Sequence, residues 1–179
     1  LDSERSRKTA RIWHKSFLLV NQILDIRKID KKQMHLHCEK TEMATYINDV
    51  CARFRYNADQ HNIIFNFEHE AGSCYAWIDK INFDKIISNL LSNAFKFTPD
   101  NGHIGITVSL RRSDEGRFAA VEVSDTGIGV TEADREHIFE RFYQGSNPSF
   151  ESIRGTGIGL MLAKDFVELH GGTLTLESA

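Results

Sequence analysis

Residues 79–99 constrain the fold more than any other stretch. Asp79 stands where a helix N-cap belongs, and Pro99 stops the helix at about Phe97. Between them Phe83, Ile86, Ile87, Leu90, Leu91 and Ala94 form one apolar face, so this helix must bury one side in a core. Beside that face run Asn89, Asn93 and Lys96. Their i, i+4, i+7 spacing puts two amides and an ammonium within an arc of roughly 60°. Asn is a poor helix former, and two in mid-helix weaken the plain reading of a solvated edge. The alternative is a row that ligates something polar. An amide oxygen suits a hard cation such as Mg²⁺, with Lys96 facing phosphates as a point charge.

The rest of the chain supplies partners for that helix. Ahead of it, Thr41 reads as the cap of a helix carrying Ile47, Val50, Cys51, Phe54 and Ala58. Ile63, Phe65 and Phe67 alternate as a strand, and Tyr75 to Ile78 is a shorter one. After it, Ile104, Ile106, Val108 and Leu110 alternate, residues 113–116 turn, and Ala119, Val121 and Val123 alternate again as a hairpin. Thr131 begins a short helix to about Phe139. A loop from Tyr143 to Gly155 follows, then a helix from Gly159 to His170, stopped by Gly171 and Gly172, and a final strand from Thr173. Helices mixed with antiparallel strands, without regular βαβ spacing, predict an α+β two-layer sandwich.

The N-terminal segment is different. Trp13, Phe17, Val20 and Leu24 make one apolar row, and Ile12, Leu19, Ile23 and Ile26 lie beside it. Two adjacent rows suit a helix of a bundle or coiled coil whose partners lie elsewhere, or a terminal helix packed on its own domain. The division is placed at residue 34, with a helix over 1–34 and the sandwich over 35–179.

Two glycine turns complete the pattern. Asp125-Thr126-Gly127-Ile128-Gly129 follows an apolar strand, where glycines admit a ligand close to the backbone and the carboxylate can accept from an amino group. Gly155-Thr156-Gly157-Ile158-Gly159-Leu160 runs into a helix, whose free N–H groups and dipole favour phosphate. It is neither a P-loop nor a Rossmann fingerprint: no Gly-Lys-Ser/Thr follows, and the third glycine comes too early.

Composition narrows the function further. A net charge of −3 is not the footprint of a nucleic-acid binder. No run reaches the roughly 20 apolar residues of a membrane span. The three cysteines, Cys38, Cys51 and Cys74, show no CxxC spacing, which fits a reducing compartment and a cytoplasmic location. The start lacks an initiator Met and reads as an excised piece. His35, His37 and Cys38 crowd four residues of a turn or strand and read as surface groups rather than metal ligands.

Order and spacing together resemble the catalytic domain of sensor histidine kinases, of the Bergerat-type superfamily shared with gyrase, Hsp90 and MutL. Asn89 to Pro99 resembles the N box, Asp125 to Gly129 the G1 box, Phe139 to Phe142 the F box and Gly155 to Gly159 the G2 box. Residues 143–154 would be the ATP lid. Residues 8–34 look like the second helix of the dimerisation and phosphotransfer domain. The resemblance implies ATP and Mg²⁺ as ligands. Asp125 would take the adenine amino group and Phe97 line its pocket. Asn93 would hold Mg²⁺, with Asn89 and Lys96 near the phosphates. Gly127, Ile128, Gly129, Gly155, Thr156, Gly157, Gly159 and Leu160 would close around the nucleotide.

It further implies transfer of the γ-phosphate to a histidine and relay to an Asp of a response-regulator receiver domain. The parent would be a homodimer through the bundle, and anchored in a membrane or not; this piece would contact neither membrane nor nucleic acid. In hydrolysing relatives a Glu stands where Asn89 is, and an amide cannot act as a general base. Three departures stand out. The acceptor His would precede residue 1, since His14 followed by Lys15 does not match, so the piece is expected not to phosphorylate itself. Gln144 stands where some members carry a phosphate-reaching Arg, for which Arg141 and Arg154 are candidates. The chain stops before the family's closing strand. A degenerate module that binds nucleotide without transferring phosphate is the alternative.

Overall fold

The structure, a computed structural model, describes residues 2–70, 72–114, 116–145 and 155–178, with side chains of the first helix described from residue 16 onward. The elements run α1 Asp2–Asp30, β1 Glu39–Glu42, α2 Met43–Ala52, α3 Arg55–Gln60, β2 Ile64–His69, β3 Tyr75–Ile78, α4 Lys80–Phe97, β4 His103–Ser113, β5 Gly116–Asp125, α5 Glu132–Arg135 and α6 Gly159–Leu169. Helices pack against two sheets, as the α+β reading expects. One sheet has the order β2-β4-β5, and β1 pairs with β3 in a second.

α4 is the centre. Ile86, Ile87, Leu91 and Ala94 are buried, against Ile104, Ile106 and Val108 of β4 and Leu162, Ala163 and Phe166 of α6, all in one core cluster. The period-2 apolar face of β4 and the helical apolar face of α4 thus meet as their sequences require. Asp79 caps α4 as expected, accepting from the Asn82 N–H at 3.0 Å. It also accepts from the His37 N–H at 2.9 Å. His170 at the end of α6 clips onto the same corner. Its Nε2 accepts from the Asp79 N–H at 3.1 Å and its Nδ1 donates to the Phe166 carbonyl at 2.7 Å.

Several local expectations are corrected. Glu42, not Thr41, caps α2: its carboxylate accepts from the Ala44 and Thr45 N–H groups, while Thr41 lies in β1 opposite Ala76. The second helix breaks at Arg53 and Phe54 into α2 and α3. β2 runs parallel to β4, with Phe65 opposite Ile104, because the long excursion through β3 and α4 returns the chain in the same direction. The helix after Thr131 ends at Arg135 rather than Phe139. Residues 173–178 form no ladder; instead Ser178 accepts from Arg135 at 2.8 Å through its carbonyl.

The apolar residues of α1 divide between core and surface. Ile26 is buried, and Leu19 and Ile29 pack on the core. Phe17, Val20, Ile23 and Leu24 remain exposed. Trp13 and Ile12 lie outside the described side chains. The helix ends at Lys32, which adopts φ 53°, with the Gln33 N–H bonded back to the Lys28 carbonyl at 2.8 Å, a Schellman closure.

Burial pushes the Asp79 carboxyl up, and the N–H donors of His37 and Asn82 outweigh it, leaving the group below the ordinary Asp value. Its stabilising contribution is therefore complete above the unfolded-state value and is lost as pH falls through the lower folded one. Asp79→Ala is expected to cost about 1–2 kcal/mol at neutral pH. Urea titrations should also show that the variant's deficit shrinks as pH falls below the ordinary Asp range, where wild type itself loses the charged cap.

Candidate functional site

α4 holds its polar row clear of the core. Asn89, Asn93 and Lys96 are half-buried, one face round from the buried Ile86 and Leu91. Burial holds the Lys96 ammonium below the ordinary lysine value. Its Nζ lies over the Phe97 ring, 4.5 Å from the centroid. Among the described residues Lys96 makes no ion pair, and no side-chain hydrogen bond joins Asn89 or Asn93 to another described residue.

Both glycine turns rest on this helix. A Cβ on Gly155 would stand 2.8 Å from Lys96 Nζ, and one on Gly159 would stand 3.1 Å from Asn89 Oδ1. The second turn therefore crosses the polar row from end to end. Ile158 between the glycines is fully buried, pinning the turn to the core while Gly157 and Gly159 keep its backbone thin. Gly157 adopts φ +68°, and a Cβ there would meet the Phe142 carbonyl carbon at 2.6 Å. The Phe142 N–H donates to the Gly157 carbonyl at 3.0 Å. Phe142 itself sits at φ 62°. Gln144 spends its amide on the Gly155 carbonyl at 2.9 Å.

The first turn sits at the C-terminal end of α4, beside the Lys96 end of the second. Asp125 ends β5 and accepts from the Gly127 N–H at 2.8 Å. A Cβ on Gly127 would lie 2.8 Å from the Phe97 carbonyl oxygen, so glycine lets this turn touch the helix terminus. Thr126 fixes the turn to β4, its Oγ1 accepting from the His103 N–H at 2.9 Å. Asp125 stays exposed, with one carboxylate oxygen engaged and the other available to a ligand. Ile128 is 44% exposed, in contrast to Ile158 in the sister turn. Gly129, at φ +67°, packs near Ser178.

Asn89, Lys96, Phe97, Gly127, Gly155 and Gly159 are thus brought together around one helix, with Asn93 in the same row and Asp125 one residue beyond the touching turn. Thr156 is exposed and accepts from the Ile158 N–H at 3.4 Å. Leu160 is half-buried at the start of α6. Arg154 lies outside the described residues, as does most of the expected lid. The Arg141 guanidinium forks onto the Asp30 carboxylate of α1, with Nη1 at 2.9 Å from Oδ2.

Sequence reasoning missed what supports the F box. Asp134 is buried and accepts from Tyr143 OH at 2.6 Å and Thr131 Oγ1 at 2.7 Å. That bond pushes the Tyr143 hydroxyl above the ordinary tyrosine value. The missed signal was the Thr131–Asp134 spacing, an acidic variant of a capping pair. His35, His37 and Cys38 form no metal group: among the described residues no cluster of three His, Cys, Asp or Glu side chains could hold an ion. No described helix is long and apolar enough to cross a membrane.

The central helix of the sandwich thus lies under two glycine turns, the second against Asn89 and Lys96 and the first against the Phe97 carbonyl. Residues 78–179 match the family described as histidine kinase-, DNA gyrase B-, and HSP90-like ATPase. The chain belongs to that family, in the branch of sensor histidine kinase catalytic domains. It is 38% identical over 160 residues to the sensor histidine kinase TmoS of Ectopseudomonas mendocina, covering 89% of this chain and 16% of that protein. It is 32% identical over 161 residues to the sensor histidine kinase WalK of Bacillus subtilis, covering 89% and 26%. The chain therefore spans about a quarter or less of these relatives. Full-length ShkA in complex with AMPPNP superposes with a TM-score of 0.74 at 26% identity, over 94% of this chain and 34% of that one. The catalytic domain of histidine kinase ThkA shares the fold, with a TM-score of 0.64 over 75% of this chain and 82% of that one.

The two glycines of the second turn make different demands. Gly157→Ala forces a side chain into the left-handed region and onto the Phe142 backbone, and should lower stability by at least about 1–2 kcal/mol. Gly159→Ala meets only an amide oxygen and should stay within about 0.5 kcal/mol of wild type. Thermal melts of the two variants read the ordering directly, and equal losses would contradict this geometry.

Proposed function

We propose that this chain is the ATP-binding kinase unit of a two-component sensor, donating the γ-phosphate of ATP to a histidine outside residues 1–179, for relay to an Asp of a response-regulator receiver domain. One observation carries this reading. The half-buried Asn89–Asn93–Lys96 row runs under the glycine turn that opens α6, with Asn89 and Lys96 against its two ends.

The row and the turn divide the work by chemistry. The Gly157–Gly159 backbone at the start of α6 offers N–H donors and the positive end of the helix dipole to phosphate oxygens. Lys96, lacking a carboxylate partner among the described residues, gains one when a phosphate arrives, which offsets its burial. Asn93 supplies a hard amide oxygen for Mg²⁺. With no carboxylate cluster among the described residues, such an ion would complete its shell from phosphates and water, as Mg²⁺ prefers. Mg²⁺ there would neutralise phosphate charge. Asp125 takes the adenine amino group on its available oxygen, and Phe97 lines the adenine end.

Asn89 occupies the position from which a carboxylate would activate water. An amide holds phosphate or water by hydrogen bonds and accepts no proton at neutral pH. The site thus positions and stabilises a phosphoryl group without a base of its own, and positioning is most of the work in phosphoryl transfer. The exposed Phe17, Val20, Ile23 and Leu24 row supports a parent that is a homodimer through a helical bundle, with the acceptor histidine on another bundle helix. The complex of histidine kinase ThkA with response regulator protein TrrA is a solved neighbour of this fold, which supports a receiver domain as partner. Gln144, tied to Gly155 rather than reaching phosphate as an Arg would, is the observation that favours a nucleotide-binding module without transfer.

Transfer separates the two. Radiolabelled ATP and Mg²⁺, mixed with this chain and a separately supplied acceptor-helix segment, should leave acid-labile, alkali-stable phosphate on that segment and none on this chain. Asp125→Asn should weaken binding of a non-hydrolysable ATP analogue by about tenfold or more, as loss of a charge-assisted hydrogen bond does. Binding without any transfer would select the degenerate module, and steady release of free phosphate would select an ATPase.

A further inference from the structure

α1 touches the sandwich through two carboxylates five residues apart, and each holds a different half of the site. Asp25 receives Lys85 Nζ at 2.6 Å, with its own side chain 13% exposed. Lys85 stands four residues before Asn89 and so begins the same row of α4. Its ammonium also lies over the Phe166 ring, 5.1 Å from the centroid, in the core of α6. Asp30 receives the Arg141 guanidinium in a two-pronged bond. Arg141 directly precedes Phe142, whose N–H holds the Gly157 carbonyl at 3.0 Å. One carboxylate therefore grips the helix that carries the amides, and the other grips the strap that carries the second glycine turn.

We propose that Asp25 and Asp30 are positioning residues for the nucleotide site: by holding Lys85 and Arg141 they set the spacing between the α4 row and the Gly157 turn without touching nucleotide. This rests on the reading of the site given above. The geometry is suited to the task. A planar guanidinium on a carboxylate by two parallel bonds fixes direction as well as distance. Residues five apart on a helix lie about 140° apart around it, so the two grips resist rotation of α1 as well as its lifting away. Asp165 of α6 also attracts Arg141, so freeing Arg141 from Asp30 leaves it a second carboxylate to move toward, with the strap in tow. The end of α1 is itself fixed by the closure at Lys32, within one turn of Asp30 and about two turns from Asp25.

The test needs a readout that ordinary loss of stability does not move. Amide hydrogen exchange of the intact chain should show Phe142 exchanging about threefold faster in Asp30→Asn, as loss of one exposed bidentate pair allows, with α2 unchanged. The charge exchange Asp30→Arg with Arg141→Asp should return it to the wild-type rate, and Asp49→Asn, an exposed carboxylate on α2, should alter nothing. Titration with a non-hydrolysable ATP analogue should show Asp30→Asn and Asp25→Asn each binding two- to fivefold more weakly. Phe142 exchange equal to wild type in Asp30→Asn would overturn the proposal. So would affinity equal to wild type in both Asp30→Asn and Asp25→Asn. A wild-type chain that binds no nucleotide would instead sink the reading of the site, and the exchange rates would still decide whether Asp30 holds the strap.

Discussion

The burial of one face of α4 is the interaction on which the rest depends. Ile86, Ile87, Leu91 and Ala94 are locked between β4 and α6, and a helix so held has no rotational freedom left for its other faces. Asn89, Asn93 and Lys96 are therefore aimed by packing rather than by polar contacts of their own. That arrangement is what a binding site needs. Polar groups already bonded to the protein would have to break those bonds to take a ligand, whereas a row oriented by its apolar neighbours is organised in advance.

Glycine serves the same helix twice, for two reasons. At Gly127 and Gly155 the reason is room, since a Cβ would strike the Phe97 carbonyl or the Lys96 ammonium. At Gly157 it is also conformation, because the left-handed turn there sets its carbonyl on the Phe142 N–H. The buried Ile158 and the exposed Ile128 show that two turns of similar sequence do different jobs. One is anchored in the core and opens a helix. The other is fastened by Thr126 to β4 and leaves its isoleucine out.

Much of this was legible in the sequence because α4 obeys local rules. Its cap at Asp79, its stop before Pro99 and its apolar face are all set by residues within it, and the polar row follows from the 3.6-residue period. The hairpin of β4 and β5 was legible for the same reason. What stayed hidden was non-local. Nothing near Arg141 says that Asp30, more than a hundred residues earlier, will claim it, and nothing near Lys85 points to Asp25. Thr41 and Glu42 are both able caps, and Thr41 lost because its backbone pairs with Ala76 across a strand. The parallel pairing of β2 with β4 is likewise a property of the path between them. The tail after Gly172 alternates like a strand, yet without a neighbouring ladder it stays unpaired.

The most direct test of the central claim is a structure of this chain crystallised with a non-hydrolysable ATP analogue and Mg²⁺. The account predicts the adenine amino group on Asp125 and the phosphates between the Asn93–Lys96 row and the backbone of Gly157 to Gly159, with Mg²⁺ on the Asn93 amide oxygen. Nucleotide lodged elsewhere, or phosphates that leave Lys96 and the second glycine turn untouched, would contradict it.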